Sequence, residues 1–161
     1  MFQAGEKIVY PLFGAGVIQS IDEKEILGKK QLYYILKMSI GNMEIMIPLD
    51  KMELLGIRKV VDTNTMEDVL FLINEGEVDA SVAWNQRYRA NMEKMKTGDI
   101  FKGTEVIRDL TQINRQRTLG AGEKKMLDDA MQILASELAL VKDIGEEKAS
   151  DLLNQVICTK V

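Results

Sequence analysis

Apolar and polar positions follow two different periods along this chain, and the switch falls near residue 60. Before it, the runs are short and punctuated. Lys7-Ile8-Val9-Tyr10 reads as a strand stopped by Pro11, Gly14-Ala15-Gly16 as a turn, and Val17-Ile18-Gln19-Ser20-Ile21 as the strand resumed. Gly28 with Lys29-Lys30 marks the next reversal, and residues 31–38 form a strand rich in Tyr, Ile and Leu. Gly41-Asn42 is a hairpin turn into Met43-Glu44-Ile45-Met46-Ile47, which ends at Pro48. Short strands with tight turns at this spacing predict a small, strongly bent sheet or barrel of about five strands. So small a barrel cannot hide every edge, so at least one strand edge stays open to a partner.

From about Thr63 the period becomes helical. Thr65 and Asp68 resemble a capping box, Met66, Val69, Leu70 and Ile73 form one stripe, and Gly76 ends the helix. An acidic loop leads to a second helix that opens at Trp84 and stops near Gly98. Asp99 caps a third, carrying Val106, Leu110 and Ile113, which Gly120 and Gly122 break. Residues 123–141 make a fourth helix with Met126, Ala130, Ile133, Leu134, Leu138 and Val141 inward, and residues 146–157 a short fifth. The expectation is an α+β chain, with a β domain over 1–60 and a helical domain over 61–161.

Composition narrows the function. The 161 residues are 46% hydrophobic and 29% charged, as in a globular protein. No apolar run approaches the roughly 20 residues of a bilayer span, and the first residues lack a charged-then-apolar pattern, so no leader is expected. The lone Cys158 cannot form an internal disulfide, which fits a cytoplasmic setting. Histidine is absent, removing the commonest general base and zinc ligand. The adjacent carboxylates Asp128-Asp129 and Glu146-Glu147 splay about 100° apart on their helices rather than converging. No phosphate-binding glycine loop occurs. An enzyme, a cofactor and a metal site are therefore not expected.

The net charge of −4 argues against nucleic-acid binding until its distribution is considered. Residues 61–83 carry six acidic and no basic side chains, whereas 84–125 carry ten basic and five acidic ones. Phosphate contacts depend on this local density. The only tryptophan, Trp84, stands at the start of the basic block, with Arg87, Arg89, Lys94 and Lys96 following. Trp84, Tyr88, Met92 and Met95 recur at helical spacing, so this stripe either packs on neighbouring helices or, at its first turn, projects a ring past the helix end. Tyr88, Met92 and Met95 are assigned to the core on either reading. A second basic cluster, Arg115, Arg117, Lys124 and Lys125, surrounds the Gly120/Gly122 turn. Lys124 and Lys125 open a helix, where cations are mildly unfavourable, and so lean toward an external anion. In the β half, Lys24-Glu25-Ile26 and the strand bearing Met46 are candidate binding strands, with Met46 facing away from the apolar side.

Several segments together resemble one family. They are Gly5-Glu6-Lys7-Ile8-Val9-Tyr10-Pro11, Tyr34-Ile35-Leu36-Lys37, Ile47-Pro48, Gly56-Ile57-Arg58, Trp84-Asn85-Gln86-Arg87-Tyr88-Arg89-Ala90-Asn91, Val106-Ile107-Arg108-Asp109-Leu110 and Gly122-Glu123-Lys124-Lys125-Met126-Leu127. In this collinear order they are similar to the CarD/CdnL family of bacterial transcription regulators. The first third alone also resembles the polymerase-interacting module of transcription-repair coupling factors.

The resemblance implies a Tudor-like N-terminal barrel that pairs a strand edge with the RNA polymerase β subunit, and a helical domain on promoter DNA. It implies that Trp84 wedges into the minor groove at the upstream fork. Arg87, Arg89, Lys124 and Lys125 would lie against the DNA backbone, stabilising the open complex with little sequence readout. The family's polymerase-contacting basic positions fall on Lys24, which keeps the charge, and on Met46, which does not; Ile26, on the candidate binding strand with Lys24, is expected to join the contact. A monomer associated with the nucleoid through polymerase is implied. The competing class is a protein–protein adaptor whose helical domain binds another protein.

Overall fold

The computed structural model describes residues 1–158. Five strands, β1 (Lys7–Tyr10), β2 (Gly14–Ile26), β3 (Lys29–Met38), β4 (Glu44–Pro48) and β5 (Arg58–Lys59), form one antiparallel sheet in the order β4-β3-β2-β1-β5. Five helices follow: α1 (Thr63–Leu72), α2 (Trp84–Lys96), α3 (Ile100–Gln116), α4 (Ala121–Lys142) and α5 (Glu146–Cys158). The α+β class and the sheet-then-helices order agree with the sequence reading.

β2 and β3 are long because a tight two-residue turn, Leu27-Gly28, joins them with both residues at positive φ. That turn, rather than Gly28 with Lys29-Lys30, is the reversal. β4 covers only Tyr33–Lys37 of β3 and β1 only Gly14–Val17 of β2, so the outer half of this hairpin extends beyond the sheet. Ile8, Ile18, Tyr34, Leu36, Met38 and Ile47 build a small core on one face. A separate helical core gathers Met66, Ile107, Leu110, Leu138 and Leu153.

Two local expectations are corrected. α1 is capped by Asp62, whose carboxylate accepts from the Thr65 backbone N–H, not by Thr65 itself, and the helix ends at Leu72, before Gly76. That hydrogen bond holds the Asp62 carboxyl below its ordinary range. Gly14-Ala15-Gly16 is not a turn but the first segment of β2; the turn is Pro11–Phe13. These glycines serve close approach. A Cβ on Gly16 would come within 2.7 Å of the Lys37 carbonyl oxygen and 3.1 Å of the Met38 Cα, both backbone. Gly16→Ala is therefore expected to destabilise by ~1–3 kcal/mol, read as a melting point lowered by several degrees.

The same segment carries the helical half. Ala15 donates its N–H to Ser136 Oγ on α4 at 3.0 Å, and Lys7 Nζ donates to the Leu140 carbonyl at 2.7 Å. Beside them Arg58 forms a fork-to-fork pair with Glu137, at 2.8 and 2.9 Å, and also donates to the Gly98 carbonyl. The Val61 N–H occupies Glu137 as well, at 2.9 Å. The sheet and α4 thus meet through a polar, fully partnered joint.

Candidate nucleic-acid interface

Trp84 is the first residue of α2 and stands 66% exposed. Helix side chains lean toward the N-terminus, and a first-turn residue has no preceding turn to lean on, so its ring reaches past the helix end. One and two turns on, the stripe turns inward: Tyr88 and Met92 are half-buried and Met95 is buried in the helical core.

The ring borders a groove between the loop before α2, the end of α3 and the start of α4, with Arg117, Leu119, Gly120 and Gly122 also on its walls. Buried Leu119 pins the extended link between α3 and α4, and its N–H donates to Asn114 Oδ1. Neither helix that begins here has a side-chain cap, because Ala83 and Gly120 occupy the capping positions. In α2 the Gln86 N–H donates to Asn85 Oδ1 at 3.0 Å, and the other first-turn N–H groups of the two helices point in the orientation that favours an anion.

The expected cations divide into three kinds. Arg89 and Lys124 are exposed and have no ion-pair partner among the described residues, although Arg89 lies about 140° around α2 from Trp84. Lys125 is exposed but shares its charge with Asp129, 3.0 Å away one turn on. Arg87 departs from expectation. Its guanidinium is 7% exposed and grips Glu123, itself 5% exposed, through Nε–Oε2 at 2.7 Å and Nη2–Oε1 at 2.6 Å. Nη1 donates to the Val82 carbonyl at 3.1 Å. The hydrogen bonds that Arg87 donates to Glu123 raise its pKa above its already high value, against the opposing effect of burial. With its donors turned inward, Arg87 does not lie on the surface as a backbone contact requires.

Arg117 is the cation that sequence reasoning passed over. It belongs to the second basic cluster, and it is exposed, unpaired among the described residues and on the wall of the Trp84 groove. Its cluster neighbour Arg115 is instead occupied, donating to the Ile157 carbonyl of α5.

At the other end of the molecule, cross-strand register places Lys24, Ile26 and Met46 on one face of the sheet. All three are exposed, and β4, which carries Met46, is an edge strand. No three or more metal-binding side chains cluster among the described residues, and no described helix is long and apolar enough to cross a membrane.

Comparison with known proteins covers both halves of the chain. The CarD C-terminal domain family matches residues 68–154, and the CarD-like/TRCF RID domain family matches residues 2–61. The putative transcription factor YdeB of Bacillus subtilis (strain 168) is 47% identical over 148 residues, covering 92% of this chain and 97% of the relative. The chain belongs to the CarD family of transcription regulators. Solved structures similar to it include the 72-residue N-terminal domain of Myxococcus xanthus CarD, 29% identical over 37% of this chain and 79% of that one, with a TM-score of 0.32. CdnLNt from Myxococcus xanthus is 34% identical over 38% of this chain and 86% of that one, also with a TM-score of 0.32. Within this CarD-family chain, then, the exposed tryptophan, the unpaired cations and the open sheet edge all lie outside the packed cores.

Proposed function

We propose that this CarD-family protein binds the β subunit of RNA polymerase through the face and edge of its sheet that carry Lys24, Ile26 and Met46. From there its helical half stabilises the open promoter complex. Trp84 enters the minor groove at the upstream fork, while Arg117, Arg89, Lys124 and the exchangeable Lys125 neutralise nearby phosphates. The observation that carries this reading is a large exposed ring at an uncapped helix start, flanked by cations without internal partners. Opening DNA costs a few kcal/mol per unstacked step, and an inserted ring offsets part of it. Tethering to polymerase raises the effective concentration of the helical half at the fork, so weak intrinsic DNA affinity suffices and the acidic net charge is no obstacle.

The reading is tested by the lifetime of open complexes formed with purified polymerase, comparing wild type with Trp84→Ala. If Trp84 instead serves a second protein, the variant leaves that lifetime unchanged. The polymerase side has its own test. Met46 is 43% exposed, so Met46→Asp should leave the melting point in place while weakening polymerase binding about tenfold, the loss expected when a methionine contact becomes a charge. Unchanged affinity in a biosensor titration would place the contact elsewhere.

A further inference from the structure

We infer that Arg87 is a positioning residue that sets the Trp84 ring through Glu123, and not a contact to DNA phosphate. The inference rests on the role of Trp84 proposed above and assigns the arginine a different place in it. One guanidinium gathers three pieces of chain that border the groove. It stands one turn after Trp84 on α2, holds the Val82 carbonyl in the loop entering that helix, and grips Glu123 in the first turn of α4. Ala83 supplies no side-chain cap, and the Val82 contact ties the chain entering α2 to the helix one turn on, which fixes its entry angle. Glu123 immediately precedes Lys124, so the same ion pair sets the spacing between the ring and a free cation. A planar fork on a carboxylate fixes orientation as well as distance, which a lysine could not do.

Glu123 itself supports the assignment. An exposed carboxylate in the first turn of α4 would repel DNA, but this one is buried with its charge matched. For Arg87 to turn outward to a phosphate, it would have to leave Glu123 buried and uncompensated, which is strongly unfavourable.

The two roles give opposite signs for one substitution. If Arg87 contacted phosphate, Glu123→Gln would release it and remove a repulsive charge, lengthening the open complex. As a positioning pair, the same change loosens the ring and shortens the lifetime. Arg87→Lys adds a second separation: a lysine can still meet a phosphate as a point charge, but it cannot make the fork. We expect both variants to shorten the open-complex lifetime about tenfold. Both should also lower the fluorescence anisotropy of Trp84, the only tryptophan, in the free protein. A longer lifetime for Glu123→Gln, or a wild-type lifetime for Arg87→Lys, overturns the assignment. Trp84→Ala run in parallel separates the two ideas. If that variant is inert the wedge fails, while the anisotropy in free protein still decides whether the pair positions the ring.

Discussion

Trp84→Ala should shorten the open-complex lifetime by between about fivefold and a hundredfold, with almost no loss of protein stability. The range follows from the ~1–3 kcal/mol that an aromatic ring contributes by stacking on a base. The stability side follows from exposure. A tryptophan in a core costs ~3–5 kcal/mol when cut to alanine, but this ring keeps 66% of its surface in solvent and has little packing to lose. Trp84→Phe should fall between, because a smaller ring still stacks. The paired measurement is what gives the prediction its force. A large lifetime effect with an unmoved melting curve fits a wedge, whereas a large fall in melting temperature would make the ring a structural element.

The second large effect is expected at the joint between sheet and α4. Arg58→Ala removes the cationic partner of Glu137, which is 2% exposed, and leaves that carboxylate with only the Val61 N–H. Stranding a buried charge in this way costs ~3–5 kcal/mol. Glu137→Ala should cost less. The Arg58 side chain it leaves behind is 27% exposed and can take up water, while still donating to the Gly98 carbonyl. Urea unfolding of the two variants measures the asymmetry directly. Equal losses would mean that the pair is wetter than its geometry implies.

Much of this was legible in the sequence because it depends on local pattern. Period and turn residues gave Lys7–Tyr10 as a strand and Asp99 as a helix cap, which accepts from the Phe101 and Lys102 N–H groups. The first-turn position of Trp84 correctly left open a projecting ring, and alternation put Met46 outward. Failures came where a residue's role is decided by chain far away. Arg87 and Glu123 are 36 residues apart and Arg58 and Glu137 are 79 apart, and nothing local says that either arginine meets a carboxylate in the interior. An arginine beside a tryptophan looks the same in sequence whether it faces solvent or not. Gly14-Ala15-Gly16 failed for a related reason. Glycine marks a turn or a close approach with equal strength, and only the position of Ser136 and the β3 backbone separates them.

Helix α4 has a consequence for where on DNA such a protein can act. Its first turn carries Glu123 and Lys124 beside the Trp84 groove, and thirteen residues after Glu123, Ser136 and then Glu137 are fastened to the sheet. At 1.5 Å per residue that is a rigid spacer of about 20 Å. A protein built this way needs no code for base sequence. If the sheet sits on polymerase as proposed, the ring is placed by measure from that surface, and adding or removing one residue in the spacer would move it by ~1.5 Å and swing it by ~100°. On the proposed function, address on the promoter becomes a matter of length and phase, fixed by the helix as a ruler fixes a mark.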